Sequence, residues 1–319
     1  MSTHRLPASL LPRLGSAILT CLTLIAFAAA ADWRLALLAH LRPQLALGLF
    51  VTLMILLLYR EWRTALVTAL TLGVNLSFFV PLWIGTPTPT EAATLSISHI
   101  NLDYDKVDAL DAMAAGGSDI VFLQELTPIS SEEALVRMPN YQVVIEEPAW
   151  TTGGSGMWIR EDWEGAVVSA EFIMLTGDPT RPLLQTTLQL AGQPITILSL
   201  HVIRPRSVWT NLTLETAYQQ VGEWANAQQA QGHQVIIIGD FNSTPWAHPF
   251  RQLLRDAMLI NGQTGFGIRN TWPAVLPNML RLPIDHVVHS TGLQTIEHHI
   301  GASVGSDHLP MTVRIQLDP

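Results

Sequence analysis

The sequence predicts an α/β (α+β) domain, built as a sandwich of sheets covered by helices, after a strongly apolar N-terminal region. Two observations predict the domain: from residue 94 onward strand-like and helix-like segments alternate, and several strand pairs are separated by hairpin-like spacings. A third predicts the apolar region. Charged residues make up 13% of the 319 residues, against roughly 25% in an average soluble domain, and few of them precede residue 91.

Three N-terminal stretches are free of charged residues over nearly their whole length. Apolar runs of about 17–25 residues are long enough to cross a bilayer. The sequence therefore predicts an anchor over residues 1–84, with transmembrane helices at about 14–31, 43–59 and 64–84. The first run also resembles a cleavable signal peptide, because arginines precede it and a row of alanines ends it. That alternative leaves two spans.

Basic residues predict the orientation of the anchor. Arg60 and Arg63 lie in the short loop between the second and third runs, and the positive-inside rule places such a loop in the cytoplasm. Arg5 and Arg13 agree with this orientation, whereas the arginines of the first loop oppose it weakly. We therefore expect a multi-pass protein of the inner (cell) membrane, with its C-terminal domain periplasmic or extracellular.

The predicted domain, residues 94–319, is acidic and follows a Pro/Thr-rich linker at 85–93. From Glu91 onward, 11 Lys and Arg stand against 24 Asp and Glu, a net charge of −13. Proteins that bind nucleic acid tightly usually cluster Lys and Arg, so this composition disfavours non-specific duplex binding. The single cysteine, Cys21, lies in the first apolar run, and the domain needs no disulfide framework.

The alternation within the domain predicts the following elements. Strands are expected at 94–101, 120–123, 141–145, 156–159, 167–170, 183–190, 195–200, 234–238, 284–288 and 311–315. Helices are expected at 107–115, 215–231 and 250–258.

Polar side chains gather where these strands end. Asp240 and Asn242 follow the strand at 234–238 and are two residues apart, so on a continuing strand they face the same side. The carboxylate can orient a water or bind a metal, and the amide can bind a phosphate oxygen without adding repulsive charge. The alternative is a simple turn, which Gly, Asp and Asn also favour.

Further candidates lie in comparable positions. Asp285-His286 and Ser306-Asp307-His308 place an aspartate beside a histidine, where it can fix the imidazole or bind a metal. Glu125 ends a buried strand, and Mg²⁺ accepts one or two carboxylates together with substrate oxygens. His201 and Asn101 end two other strands.

Over residues 94–315 these motifs resemble the endonuclease/exonuclease/phosphatase superfamily, which has the deoxyribonuclease I-like fold. Each motif is weak alone, but six occur in the family's order. They are Asn101, Gln124-Glu125, His201, Gly239-Asp240-Phe241-Asn242, Ile284-Asp285-His286 and Ser306-Asp307-His308. The resemblance implies a four-layered α/β sandwich and a metal-dependent phosphoesterase that hydrolyses its substrate by in-line attack of water.

The resemblance also implies roles for the matching residues. Glu125 corresponds to the main ligand of Mg²⁺ (or Mn²⁺), with Asn101 beside it and Asp307 near the metal. Asp240 corresponds to the group that orients or deprotonates the attacking water, and Asn242 to the phosphate-binding amide.

Two histidines complete the implied site. His308 corresponds to the histidine that contacts the scissile phosphate, with Asp285 orienting it, and His201 to the second histidine, a general acid in some branches. The sequence departs from the nuclease branch at 151–158, which contains no acid to pair with His201. Asp103, two residues after Asn101, matches the abasic-site nuclease branch only by its spacing.

The substrate is left open. It could be a phosphodiester or a phosphomonoester, in a lipid head group, a small molecule or nucleic acid; the alternatives to the phosphoesterase are a nuclease acting outside the cytoplasm and a catalytically silent binding module. Specificity in this superfamily lies in loops around the cleft, here predicted at 148–156, 204–212 and 262–277. No segment predicts a protein partner.

Overall fold

The structure is a computed structural model that describes residues 7–30, 32–85, 87–175 and 177–317. Parts of the predicted first span (Ala31), linker (Thr86) and C-terminal end (318–319) lie outside these residues. The chain divides into two compact units. One extends to Pro81 and includes Trp246–His248; the other comprises Leu82–Pro245 and the chain from Pro249 onward.

The N-terminal unit is helical. Its helices are α1 (Leu10–Ile25), α2 (Trp33–His40), α3 (Arg42–Leu58) and α4 (Trp62–Leu76). Polar contacts join them inside the unit: the hydroxyls of Ser16 and Thr68 are 2.7 Å apart, and Asn75 Nδ2 donates to Thr23 Oγ1 at 2.9 Å. Such contacts between apolar helices also occur in membrane bundles.

The helices match the predicted spans only in part. Among the described residues, one helix, Leu10–Ala28, is by itself long and apolar enough to cross a membrane. Helices α2 and α3 meet at a 60° bend and would supply a second span if they act as one. A continuous helix over 64–84 does not form, because α4 ends at Leu76 and a 3-10 turn at Val80–Trp83 follows. Membrane insertion stays a prediction.

The second unit contains two six-stranded mixed sheets. The strands are β1 (Thr94–Asn101), β2 (Ile120–Gln124), β3 (Tyr141–Glu147), β4 (Ser155–Arg160), β5 (Val167–Ile173), β6 (Leu183–Leu190), β7 (Gln193–His201), β8 (Gln234–Asp240), β9 (Ile260–Asn261), β10 (Asp285–His289), β11 (Leu293–Ile300) and β12 (Met311–Leu317). The first sheet has the order β11-β12-β1-β2-β4-β3, and the second β5-β6-β7-β8-β10-β9.

Helices cover the outer faces of both sheets. They are α5 (Asp108–Gly116), α6 (Pro128–Arg137), α7 (Val208–Ala230) and α8 (His248–Asp256). Between the sheets lies one apolar core, to which Phe122 and Ile238 belong. A second core joins α7 and α8 to one sheet, and a third joins α5 and α6 to the other. The predicted four-layered α/β sandwich is confirmed.

Three elements differ from the prediction for local reasons. Helix α7 begins at Val208, because Ser207 and Thr210 cap it reciprocally through their hydroxyls and backbone N–H groups. Helix α6 was not predicted; its capping box pairs Thr127 with Ser130 rather than with the usual Glu or Gln. Strand β11 is absent from the strands predicted above, because a bulge at Thr295/Glu297 interrupts its alternation.

The strand pairing brings the predicted polar residues to one end of the sandwich. In the parallel β1–β2 pair, Asn101 lies opposite Gln124. In the parallel β7–β8 pair, His201 lies opposite Asp240, and antiparallel β10 places Asp285 on the other side of Asp240.

Candidate active site

Gln124 joins the two sheets beneath this cluster. Its Nε2 donates to Ser199 Oγ at 3.1 Å and to the Leu200 carbonyl at 2.9 Å, and its Oε1 accepts from the Asp240 N–H at 3.2 Å. Gly239 permits this close approach. Its φ is 143°, and a Cβ there would lie 2.1 Å from the Leu200 carbonyl oxygen. The position of Asp240 is thus fixed by a neighbouring sheet as well as by its own strand.

Asn101 connects the carboxylates of the two sheets. Its Nδ2 donates to Glu125 Oε1 at 3.2 Å and to Asp240 Oδ2 at 3.5 Å. Burial raises the pKa of the Glu125 carboxyl, and the hydrogen bond from Asn101 opposes this. Burial also raises the pKa of Asp240 to about 6, against the opposing charge of His308. These two acids therefore have higher pKa values than surface carboxylates do.

Asn242 points into the same pocket. Its Nδ2 donates to Asp240 Oδ2 at 3.1 Å and to the Val202 carbonyl at 2.9 Å, and its N–H donates to Asp240 Oδ1 at 2.8 Å. Arg204 Nε donates to Asn242 Oδ1 at 3.3 Å. The amide is thereby held rigidly beside the carboxylate.

Two residues of the pocket have strained backbone conformations. Glu125 has φ 53° and Asn242 has φ 46°, in the left-handed region that costs a non-glycine residue about 1–2 kcal/mol. Asparagine tolerates this conformation better than glutamate does. Glu125 directly follows β2 and Asn242 comes two residues after the end of β8, and the turn directs each side chain toward the cleft. Such strain often marks functional positions.

Asp285 holds two histidines. Its Oδ2 is 2.9 Å from His308 Nδ1, and its Oδ1 is 3.1 Å from His99 Nε2. Burial alone would raise the pKa of Asp285, but His308 and His99 outweigh it and hold that pKa well below its ordinary value. Burial lowers the pKa of His308, but the charges of Asp285 and Asp240 outweigh it and raise that pKa to about 10. His308 is therefore cationic.

The imidazole of His201 differs from that of His308 in the direction of its pKa shift. Arg181 Nη1 lies 3.1 Å from His201 Nε2, and that nitrogen is 3.8 Å from Glu125 Oε1. Burial, followed by the charges of Arg181 and His308, lowers the pKa of His201 well below its ordinary value. The guanidinium can only donate, so His201 is neutral and accepts through Nε2. Arg181 also bonds Thr152, within the predicted acid-free segment.

Asp307 lies at the rim of the pocket and is tied to an aromatic ring. Trp272 Nε1 donates to Asp307 Oδ2 at 2.8 Å, and His308 Nε2 is 3.7 Å from Asp307 Oδ1. The Arg204 guanidinium stacks on the Trp272 ring at 4.7 Å. Asp103 donates its backbone N–H to Asn101 Oδ1 at 3.0 Å, and burial raises the pKa of its carboxyl.

The structure thus brings together all eight residues predicted for the site. They are Asn101, Glu125, His201, Asp240, Asn242, Asp285, Asp307 and His308. His286, from the same motif as Asp285, points away and packs against Phe241 and Phe250.

Sequence reasoning missed His99, Arg181 and Trp272. A signal existed for His99 alone: it precedes Asn101 by two residues in β1, so both side chains face the same side of the sheet. Arg181 and Trp272 lie in loops whose pattern gives no indication of their direction.

The donor groups of the pocket decide whether it can hold a metal ion. Among residues 7–30, 32–85, 87–175 and 177–317, no group of three His, Cys, Asp or Glu side chains is close enough to hold a metal ion. Mg²⁺, however, needs only one or two carboxylates besides water and substrate oxygens. Glu125 beside the amide of Asn101, with the charge of Asp307 acting on Glu125, fits this requirement.

The chain belongs to the endonuclease/exonuclease/phosphatase family, because the model of that family matches residues 93–308. Members of the family are hydrolases that act on phosphoester bonds. A search of curated proteins gave no match.

Solved structures of this family resemble the chain. A humanized D. rerio TDP2 is 18% identical, with a TM-score of 0.55, over 70% of this chain and 99% of that one. D. rerio TDP2 complexed with a single-strand DNA product is 17% identical, with a TM-score of 0.56 and the same coverage. An endonuclease/exonuclease/phosphatase from Bacteroides vulgatus is 16% identical, with a TM-score of 0.57 over 70% and 99%. At these identities the likeness establishes the fold.

Proposed function

We propose that this domain is a metal-dependent phosphoesterase that hydrolyses a phosphodiester or phosphomonoester by in-line attack of water. One observation supports the proposal above all others. Glu125, Asp240 and His308 share one pocket: Asn101 bonds both carboxylates, and His308 Nε2 is 3.7 Å from Asp240 Oδ2. Metal-ligand, general-base and cationic groups within one pocket are what such a reaction needs.

Mg²⁺, or Mn²⁺, would be held by Glu125, Asn101 and Asp307. When bound, it would polarise the phosphate and stabilise the leaving oxygen. Asp240 would orient the attacking water and accept its proton, and its pKa of about 6 leaves it ionised at neutral pH. Asn242 would exchange its Nδ2 hydrogen bond to Asp240 for one to a phosphate oxygen. Cationic His308, held by Asp285, would donate from Nε2 to the scissile phosphate.

Removal of the metal is expected to abolish turnover. The full chain in detergent would be assayed on bis(p-nitrophenyl) phosphate, p-nitrophenyl phosphate, plasmid DNA and a phospholipid, first with EDTA and then with added Mg²⁺ or Mn²⁺. We expect a loss of about 100-fold or more with EDTA, since each electrostatic stabiliser of the transition state contributes roughly that much, and recovery on adding metal. Turnover that is insensitive to EDTA would refute metal dependence. Absence of turnover on every substrate would favour the silent binding module.

Arg181 is expected to strengthen substrate binding. Its guanidinium lies 3.1 Å from His201 Nε2, so His201 would act as an acceptor that orients Arg181. A phosphate oxygen in the pocket could then accept a hydrogen bond from the guanidinium. We expect Arg181→Gln to lower kcat/KM about 10- to 100-fold, and Arg181→Lys to lower it less, because a charge-assisted bond is lost in the first only. Arg255→Gln, at an exposed position of helix α8, is the matched control. Equal kcat/KM in the wild type and Arg181→Gln would reject this role.

A nuclease is the second candidate. The neighbour solved with a single-strand DNA product supports it, whereas the net charge of −13 from Glu91 onward disfavours tight binding to DNA. Plasmid DNA in the same assay separates the two: cleavage faster than that of every small phosphoester would favour the nuclease.

We also propose that the N-terminal helices anchor the domain in the inner membrane and that the domain lies outside the cytoplasm. The apolar helix Leu10–Ala28 and the basic pair Arg60 and Arg63 support this topology. A reporter enzyme fused after Pro319 should be active in the periplasm. Activity confined to the cytoplasm would overturn the orientation.

A further inference from the structure

Three segments adjoin the candidate site, and we call them the rim; the second of them includes the first turn of helix α7. They are the segments 148–156, 204–212 and 262–277. Each is tied to a site residue by a hydrogen bond. These bonds run from Arg181 Nη1 to the Thr152 carbonyl (3.4 Å), from Arg204 Nε to Asn242 Oδ1 (3.3 Å) and from the Ala274 N–H to the Asp307 carbonyl (2.7 Å). What the rim presents to solvent therefore borders the opening of the pocket.

Large apolar side chains of the rim face solvent. Val275 is 87% exposed, Trp150 67% and Trp209 61%. Val208, Leu212 and Leu276 are also exposed. Single exposed apolar residues are ordinary, but large exposed apolar side chains on three segments that each bond a site residue indicate an interaction surface. Because these hydrogen bonds hold the rim in place, the exposed side chains belong to anchored segments.

The charge of the rim is opposite to that of the domain. The three loops contain Arg204, Arg206 and Arg269 but no lysine and no acidic residue, whereas the chain from Glu91 onward has a net charge of −13. Of these arginines Arg206 is exposed, whereas Arg204 and Arg269 are half-buried. A surface that combines an arginine with exposed tryptophan and aliphatic side chains matches an anionic lipid interface, which attracts the cation and accepts the apolar groups.

Nucleic acid fits the rim less well. Bases stack on aromatic rings, but four of the six exposed side chains are aliphatic (Val208, Leu212, Val275 and Leu276). We infer that the rim rests on an anionic bilayer surface and that the pocket receives the phosphoester of a lipid from it. The catalytic half of this inference rests on the proposed function; contact of the rim with lipid does not.

Fluorescent labels on the full chain test the contact directly. In a Cys21→Ser background, Val275→Cys would be labelled with an environment-sensitive fluorophore and the protein reconstituted into phosphatidylcholine vesicles with or without phosphatidylglycerol. The control is Ala115→Cys, at the exposed end of α5. That end adjoins the start of β1, since Asp119 N–H bonds the Ser96 carbonyl at 3.0 Å, and so lies opposite the site.

We expect the Val275→Cys label to shift to the blue and to be quenched by nitroxide-labelled lipid, more strongly with phosphatidylglycerol, and the control label to do neither. Equal quenching of both labels, or of neither, would overturn the inference. A change at Val275→Cys with a single-stranded oligonucleotide but not with lipid would replace the bilayer with nucleic acid.

Turnover tests the consequence for the substrate. In the double variant Val275→Ser/Leu276→Ser, the ratio of phospholipid hydrolysis in vesicles to bis(p-nitrophenyl) phosphate hydrolysis should fall about tenfold, as expected from losing the partial burial of two apolar side chains. An unchanged ratio would reject delivery from the bilayer. If the wild type hydrolyses neither of these substrates nor p-nitrophenyl phosphate, the proposed function fails, and the fluorescence result still decides the lipid contact.

Discussion

Replacement of Asp240 by asparagine is expected to lower kcat about 1,000-fold or more. General-base catalysis contributes roughly 100- to 10,000-fold, and the change removes more than a proton acceptor. Oδ2 of Asp240 accepts from the amides of Asn101 (3.5 Å) and Asn242 (3.1 Å). An asparagine side chain in its place would turn an NH₂ group toward these donors, because its oxygen is needed to accept the Asn242 N–H.

The measurement is kcat on the best substrate at saturating Mg²⁺. The matched control, Asp256→Asn, makes the same change at the exposed end of α8 and should leave kcat within about twofold, since exposed changes away from special features are usually small. Circular dichroism should show that both variants are folded. A loss of less than tenfold in Asp240→Asn would contradict its assignment as the base.

Replacement of Asp285 by asparagine should be the most destabilising single change in the site. Asp285 is fully buried and bonds both His99 (3.1 Å) and His308 (2.9 Å). Removal of one partner of a buried ion pair costs about 3–5 kcal/mol, because the other charge is left uncompensated. Neutralisation of His308 would lower that cost and remove the cation that faces the phosphate. We expect the free energy of unfolding to fall by about 3 kcal/mol and kcat by about 100-fold.

The pH dependence of this loss has a definite sign. The folded pKa of His308, about 10, lies above its unfolded value, so its contribution is complete below about pH 6.5 and is lost as the pH rises through about 10. The pKa of Asp285 is depressed, so its contribution is complete above about pH 3.9 and is lost at lower pH. The advantage of the wild type should therefore be largest between about pH 4 and 6.5 and shrink toward pH 10.

Urea unfolding of both proteins in EDTA at several pH values measures this difference. Asp119→Asn is the matched control. Asp119 is also buried, but its partner is Arg160, at 2.8 Å, which stays charged throughout this range. The loss in Asp119→Asn should stay constant between pH 6.5 and 10. A constant loss in Asp285→Asn over the same interval would show that His308 is not a cation held by Asp285.

Much of this site could be predicted because its polar residues directly follow short apolar strands. Asp240 and Asn242 follow the run 234–238, and Glu125 follows the run 120–123. The position of each motif at the end of a strand could therefore be predicted from the sequence. The pairing of the strands within the two sheets brings these motifs together.

What could not be predicted depends on contacts between distant segments. Arg181 reaches His201 because the loop before β6 folds toward Thr152, and no periodicity in the sequence encodes that approach. The end of the third helix could not be predicted for a different reason. Its composition is continuous, but helix α4 ends at Leu76, and hydropathy is insensitive to where a helix stops.

The cleft lies across the seam between the two sheets, with Asn101 and Glu125 contributed from one side and Asp240 and Asn242 from the other. Neither half of the sandwich holds a complete reaction centre. A small slip of one sheet against the other would misalign water, phosphate and metal ligands long before the fold itself came apart. Catalytic competence is consequently a more sensitive gauge of how the interior is packed than any global measure of stability.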